Sequence, residues 1–251
     1  MRKLFVAVFM FVALAFTAST ASAVVDVEGR YWFTELDDTI KVTSGNVIGT
    51  EIDLKNDLGV DDKKNFWEGR ITLELGSHKL RYGYMPLKWD GSKNLTQSVV
   101  FNGQTYSASA DVNSELKMDY HRLGYEYDFF DTLNNRLGVI LEVKYFDGDA
   151  KLKSTSLGLN EQESFKLPIP TVGITGQVGL PLLLSVGGEV TGVTLGSSAY
   201  LVDAEAGINL KPAPFVVISG GYRIFKLHVE SDDDKVDLTV KGPFVSLRAD
   251  F

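Results

Sequence analysis

Apolar and polar residues alternate with a period of two along most of this chain. Val25, Val27, Gly29, Tyr31 and Phe33 alternate with Asp26, Glu28, Arg30 and Trp32. Trp67, Gly69, Ile71, Leu73 and Leu75 alternate with Glu68, Arg70, Thr72 and Glu74. Leu137, Val139, Leu141, Val143 and Tyr145 do so with Gly138, Ile140, Glu142 and Lys144, as do Tyr200, Val202, Ala204, Ala206 and Ile208 with Leu201, Asp203, Glu205 and Gly207. Period two sends successive side chains to opposite faces of a strand. No helix pattern competes. The alternation predicts ten strands, at roughly 25–35, 66–75, 78–88, 113–130, 136–153, 164–178, 182–195, 198–210, 215–230 and 235–251. Eight would result if 164–178 and 182–195 are not both strands.

The connections sort by length. Those after the first, third and fifth strands are long, at about 36–65, 89–112 and 154–163. Those after the second, fourth, sixth and eighth are short: Gly76-Ser77, Asp131 to Asn135, Gly179 to Pro181 and Lys211 to Pro214. Gly196-Ser197 and Ser231 to Asp234 break the length rule but are polar. Long links on one side and tight turns on the other suit an antiparallel up-and-down barrel. Pro168 and Pro170 fall inside the sixth strand, where a missing donor predicts irregularity near its outer end. The fourth strand slips. Leu116, Met118 and Tyr120 share one face, whereas Leu123, Tyr125 and Tyr127 share the other. A β-bulge at His121-Arg122 would restore a single apolar face.

The front of the chain changes the picture. Arg2 and Lys3 precede an apolar run from Leu4 to Phe16, and small residues lead to Ala21-Ser22-Ala23. This reads as an export signal cleaved after Ala23, too short for a spanning helix of about 20 residues. Residues 24–251 then form one barrel domain, and losing Arg2 and Lys3 moves the net charge from −8 to −10. The acidic balance argues against nucleic acid as a partner. Cysteine is absent, so no disulfide staples an exported fold. Aromatic residues near strand ends suit interfacial girdles.

The last strand adds a specific signal. Phe251, Ala249, Leu247 and Val245 occupy alternate positions up to the carboxy terminus. This resembles the C-terminal signal of Gram-negative outer-membrane β-barrel proteins, and the whole pattern resembles their small, eight- to ten-stranded members. The resemblance implies an all-β transmembrane barrel in the outer membrane, contact with its lipid and lipopolysaccharide, and assembly through the barrel-assembly machinery.

In such a barrel apolar residues face lipid and polar ones fill the interior. The expected inward set is Glu28, Arg30, Glu68, Arg70, Glu74, Arg81, Glu115, Lys117, Asp119, Arg122, Glu126, Glu142, Lys144, Asp203, Glu205, Arg223 and Arg248. About eight strands leave an interior just filled by side chains, and roughly 16 leave a wide channel. Ten strands therefore predict a packed charge network in a non-enzymatic barrel serving envelope integrity or surface interaction. The alternative is a narrow pathway that favours cations.

Signatures of chemistry are sparse. His78, His121 and His228 are not spaced as metal ligands, and there is no nucleophile elbow, phosphate loop or dinucleotide fingerprint. No metal or cofactor is expected. Omptin-type outer-membrane proteases, also ten-stranded, carry an Asp/His group at the outward rim. Here that rim could hold His228, Asp232, Asp233, Asp234, Asp147 and Asp149, although no omptin motif matches residue by residue. A lipid A deacylase using His121 with a serine is the other hydrolase reading. Asn102-Gly103 between two alternating runs predicts a hairpin projecting from the second outer link. With the first long link it could cap the barrel or meet an extracellular ligand.

Overall fold

The alternating segments close on themselves in a computed structural model that describes residues 23–41, 50–132, 135–196, 198–230 and 235–251. The elements are β1 (Ala23–Lys41), α1 (Leu54–Leu58), β2 (Lys63–Leu75), β3 (His78–Asn94), β4 (Val99–Phe101), β5 (Gln104–Tyr106), β6 (Asp111–Asp131), β7 (Asn135–Ser154), β8 (Leu159–Gly179), β9 (Leu184–Thr194), β10 (Ala199–Ala213), β11 (Val216–Glu230) and β12 (Lys235–Asp250). Ten of them make one closed barrel in the order β1-β12-β11-β10-β9-β8-β7-β6-β3-β2, every neighbour antiparallel. The seam joins β1 to β12, where Phe251 and Val25 exchange backbone hydrogen bonds of 2.9 and 3.0 Å. Closure removes the unpaired edges that lipid could not satisfy. The export segment lies outside the described residues.

β4 and β5 are the predicted hairpin, with Asn102 and Gly103 at its tip. It packs inward rather than projecting, since Val99 and Tyr106 are wholly buried. α1 is a short helix that alternation did not predict. Asp53 caps its start by accepting from the Asn56 N–H, and Gly59, at φ 67°, ends it. Leu54 and Leu58 anchor it beneath the outer end of the barrel. The third long link is shorter than predicted, because β7 and β8 pair as far as Ser154 and Leu159.

The outer surface carries an apolar belt with Val27, Tyr31, Phe33, Trp67, Ile71, Leu80, Tyr82, Leu123, Leu141, Ile174, Ile224 and Leu247 exposed. Val25 to Phe33 is nine residues, the length a tilted strand of about 9–11 residues needs to cross a bilayer. Above this belt the outward positions become polar. Phe33 gives way to Glu35 and Asp37, Tyr145 to Asp147, Ile224 to Lys226 and Pro243 to Lys241. The barrel therefore continues as a water-facing wall beyond the lipid.

The interior changes at the same height, in the opposite sense. On β1 the inward residues run Asp26, Glu28, Arg30, then Trp32, Leu36. On β6 they run Asp128, Glu126, Arg122, then Tyr120, Met118 and Val112; on β7 Glu142, Lys144, then Phe146 and Leu152; on β11 Arg223, then Phe225. Within lipid, burial comes from outside and the lumen can be polar. Above lipid the wall meets water, so the inside supplies the apolar core.

This inversion corrects the predicted bulge. The β6 register to β7 runs unbroken from Asn113 to Asp128, and its irregularity lies between Asp128 and Phe130. The apolar face switches sides at Tyr120–His121 because the strand leaves the membrane. Glu115, Lys117 and Asp119 are consequently not lumen residues. They lie on the outer wall, where Glu115 pairs with Lys88 and Lys117, and Asp119 accepts from the Tyr84 hydroxyl.

Candidate functional site: a closed lumen

The barrel interior is one continuous chain of alternating charges beneath an apolar plug. Glu205 accepts from both Arg30 (2.6 Å) and Arg70 (2.9 Å). Glu68 takes Arg70 (2.9 Å) and Arg223 (3.0 Å). Asp203 receives a two-pronged bond from Arg223, 2.9 Å at each oxygen, and Lys144 at 2.8 Å. Glu142 joins Lys144 to Arg122, and Glu189 joins Arg122 (2.6 Å) to Arg81 (2.5 Å), which ends on Glu126 at 2.9 Å. These side chains come from β1, β2, β3, β6, β7, β9, β10 and β11. Planar guanidinium groups suit such bridging, because each offers several donors in a fixed fork.

Of the expected inward set, Glu28 holds Arg30, Glu74 faces Lys79 at 3.5 Å, and Arg248 pairs with Asp250 near the turns. Asp26, Lys79, Asp128, Arg136 and Glu189 also belong to this interior, beyond the expected set. Glu189 hides between Gly187-Gly188 and small neighbours, although its even spacing from Thr191 and Ser185 was readable. Asp128 lies at the turn end of β6, where the ladder to β7 shifts between Asp128 and Phe130. Phe251, Ala249, Leu247 and Val245 lie along the outward side of β12 at the seam, with Phe251, Leu247 and Val245 well exposed.

The plug sits directly on this layer. Arg223 stacks over Trp32 at 4.8 Å and Arg30 over Phe244 at 3.9 Å, contacts that join a cation to an aromatic face. Tyr120 stacks on Phe146 at 4.7 Å and 10°, while its hydroxyl accepts from Lys144 and donates to Asp203. Above them Met85, Leu87, Trp89, Met118, Phe225, Leu238 and Val240 fill the barrel, closed over by α1 and the β4–β5 hairpin. The void left among Trp32, Met118, Tyr120, Phe146 and Phe225 is about 10 Å³, scarcely room for one water. The charged layer is looser. It holds about 150 Å³ of space, and a vestibule of about 500 Å³ lined by Asp26, Glu74, Arg136, Lys211, Arg248 and Asp250 adjoins it at the turn side. The two spaces share Asp26, Arg136, Gln177 and Arg248, so the lumen is a blind polar cup.

At the outer end, Asp38 lies inside the wall, 7% exposed, and its carboxylate accepts the Leu54 N–H at 3.2 Å. Burial pushes its carboxyl up to about 7, helped by Asp53 and Asp37 and opposed by the Leu54 bond. The folded loop thus holds the proton more tightly than the unfolded one. Its contribution is fully present below about pH 4 and is lost as pH rises through about 7. Hydrogen exchange should therefore show the α1 amides less protected at pH 8 than at pH 5, after correction for intrinsic rates. Asp38→Asn keeps the acceptor without the charge and should remove that fall, a change on the order of 2 kcal/mol at pH 8 after allowance for screening. An equal pH-dependence in the variant would assign the effect elsewhere.

Among the described residues the rim candidates do not converge. His228 points out of β11, its Nδ1 3.1 Å from Asp237 and its ring stacked on Tyr200 at 5.0 Å. Asp147 and Asp149 face outward on β7, where they meet Lys166 and Ser164. His121 also faces outward, against Tyr82, Tyr84 and Tyr145. Asp232, Asp233 and Asp234 lie outside the described residues. Among the described residues no cluster of three His, Cys, Asp or Glu side chains could hold a metal ion.

No family model and no curated protein matches the chain. Solved structures do. The outer membrane protease OmpT from Escherichia coli superposes with a TM-score of 0.56 at 10% identity, covering 94% of this chain and 99% of that one. Ail of Yersinia pestis gives a TM-score of 0.37 at 11% identity, over 90% of this chain and 99% of its own. The Pseudomonas putida toluene transporter TodX gives 0.37 at 9% identity, over 94% and 91%. At these identities likeness extends to the fold alone, and the chain has the closed ten-stranded β-barrel fold of Gram-negative outer-membrane proteins.

Proposed function

We propose that this protein is a non-conducting, non-enzymatic outer-membrane barrel that holds a rigid head above the membrane for surface interaction or envelope integrity. One observation carries the reading: above a layer of ion-paired charges the lumen is closed by an apolar plug with almost no void. A cation pathway needs a hydrated column from end to end, and the plug interrupts it between Tyr120, Phe146 and Phe225. The head adds a second support. α1 and the β4–β5 hairpin are anchored in the core, Tyr106 donating to the Leu152 carbonyl at 2.7 Å, and loops held this way present a fixed surface. The test is single-channel recording of the refolded chain in a planar bilayer, with heat-modifiable gel migration as the folding control. The expected record is flat. Stepwise, cation-selective openings would replace this reading with the channel.

A further inference from the structure

The barrel wall is not of even height, and one gap in it has a specific chemistry. β8 pairs with β7 along its whole length, from Val178 opposite Asn135 to Leu159 opposite Ser154. Its pairing with β9 stops at Val172 opposite Gly192. Residues 159–171 of β8 therefore have no strand partner on that side among the described residues, while the β9–β10 hairpin ends at Thr194, Leu195 and Gly196.

Pro168 and Pro170 lie in the first part of this free edge. They face Tyr145 and Val143 of β7 in unbroken register. A proline cannot donate to that ladder, so its nitrogen must point the other way, toward the missing β9. Tyr145 and Val143 belong to the lipid-facing belt, so the gap begins within the outer leaflet. An unpaired N–H there would have neither strand nor water to bond, at a cost of several kcal/mol. The two prolines remove two such donors where the neighbouring strand departs. They also make the edge unfit for pairing with a second strand.

The surface behind the gap is apolar. Phe165, Leu167 and Ile169 face the barrel interior yet are only partly covered, Leu167 being 39% exposed, and Val193, the residue after the last β9 pair at Gly192, is also inward and partly buried. Lys166, its side chain 68% exposed, stands outward immediately above Pro168, where the apolar belt gives way to polar residues, and it pairs with Asp147 at 3.1 Å while keeping donors free toward solvent. The upper end of the edge is occupied by the hairpin tip, where Asn102 donates to Glu161 and to the Gln162 carbonyl.

We propose that this opening between β8 and β9 is a lateral docking site for one acyl chain of an outer-leaflet lipid. The chain lies over Leu167, Ile169 and Val193, and Lys166 meets the anionic headgroup. Such a site gives a barrel with a closed lumen a way to hold a lipid through its wall.

Because the chain lacks cysteine, single spin labels can be placed at Leu167→Cys, at Ile169→Cys and, as a lipid-facing reference, at Val172→Cys. The probe is the protein in phosphatidylethanolamine–phosphatidylglycerol vesicles, with gel migration confirming the fold of each variant. Collision with oxygen reports acyl surroundings, and collision with a water-soluble nickel chelate reports water. The inward labels at 167 and 169 should match the oxygen-rich, nickel-poor signature of 172. A label that gains that signature only when lipopolysaccharide is added would assign the site to lipopolysaccharide chains. Nickel access at 167 equal to that of a solvent loop would overturn the proposal in favour of a water-filled notch. Exclusion of both reagents at every protein-to-lipid ratio would overturn it in favour of coverage by the protein itself, and exclusion only at high protein density would assign the notch to a second copy.

Discussion

Arg223→Met should destabilise the folded barrel by about 3–5 kcal/mol, read as the shift of the urea midpoint in lipid vesicles. The guanidinium touches Asp203 with two bonds of 2.9 Å, Glu68 at 3.0 Å and the face of Trp32. All three groups are essentially inaccessible to solvent. Removing the cation leaves Asp203 with Lys144 and Glu68 with Arg70 as their close partners, and the surplus of buried negative charge, rather than lost attraction, dominates the cost. Arg223→Lys should fall between the two, because a single ammonium cannot make the fork to Asp203 while reaching Glu68. The double change Arg223→Met with Asp203→Leu should recover part of the loss. A shift below about 1 kcal/mol for Arg223→Met would mean that water enters the layer and screens it.

Gly242→Val should prevent barrel closure. The β1–β12 ladder runs through Trp32 opposite Phe244, omits the next two residues on each strand, and resumes at Glu35 opposite Lys241. In that interval Gly242 comes so close to β1 that any Cβ would overlap the Phe33 carbonyl oxygen. Its own carbonyl accepts the Trp32 indole N–H at 3.0 Å, which fixes the first ring of the plug. Closure happens only at this seam, so relief by local movement would open the barrel. The expected result is loss of the compact, heat-modifiable band on a detergent gel. Gly29→Ala is the matched control on the same seam. A Cβ there meets nothing within 4 Å, and normal migration is expected. Normal migration for Gly242→Val as well would show that the seam can be re-registered.

Much of this architecture was legible because alternation is a one-dimensional record of which face meets which medium. Ten strands, their antiparallel order, the hairpin at Asn102-Gly103 and the lipid-facing belt all follow from period two and turn residues. The inward placement of Arg30, Glu68, Arg122 and Asp203 follows from parity once the belt is recognised. Parity failed at Glu115, Lys117 and Asp119 because one rule was applied to the full strand. "KMDYHRLGYEY" looks like a slipped strand, yet it is a straight one that crosses from lipid into water. The reversal of Glu35 and Leu36 relative to Phe33 and Arg30 carries the same message on β1.

By itself the sequence determined the barrel, since the export segment, the aromatic residues near strand ends and the terminal Phe251 pattern point to lipid, and there alternating strands satisfy every backbone group only by closing on themselves. Tertiary structure alone decided which charges meet, because Arg30 and Glu205 are 175 positions apart and Arg223 and Glu68 are 155 apart, and no local pattern encodes a distance across a lumen. It also decided that the outer half is plugged and that β8 outlasts β9, because strand ends and stagger are set by the closure of the whole sheet rather than by any one segment.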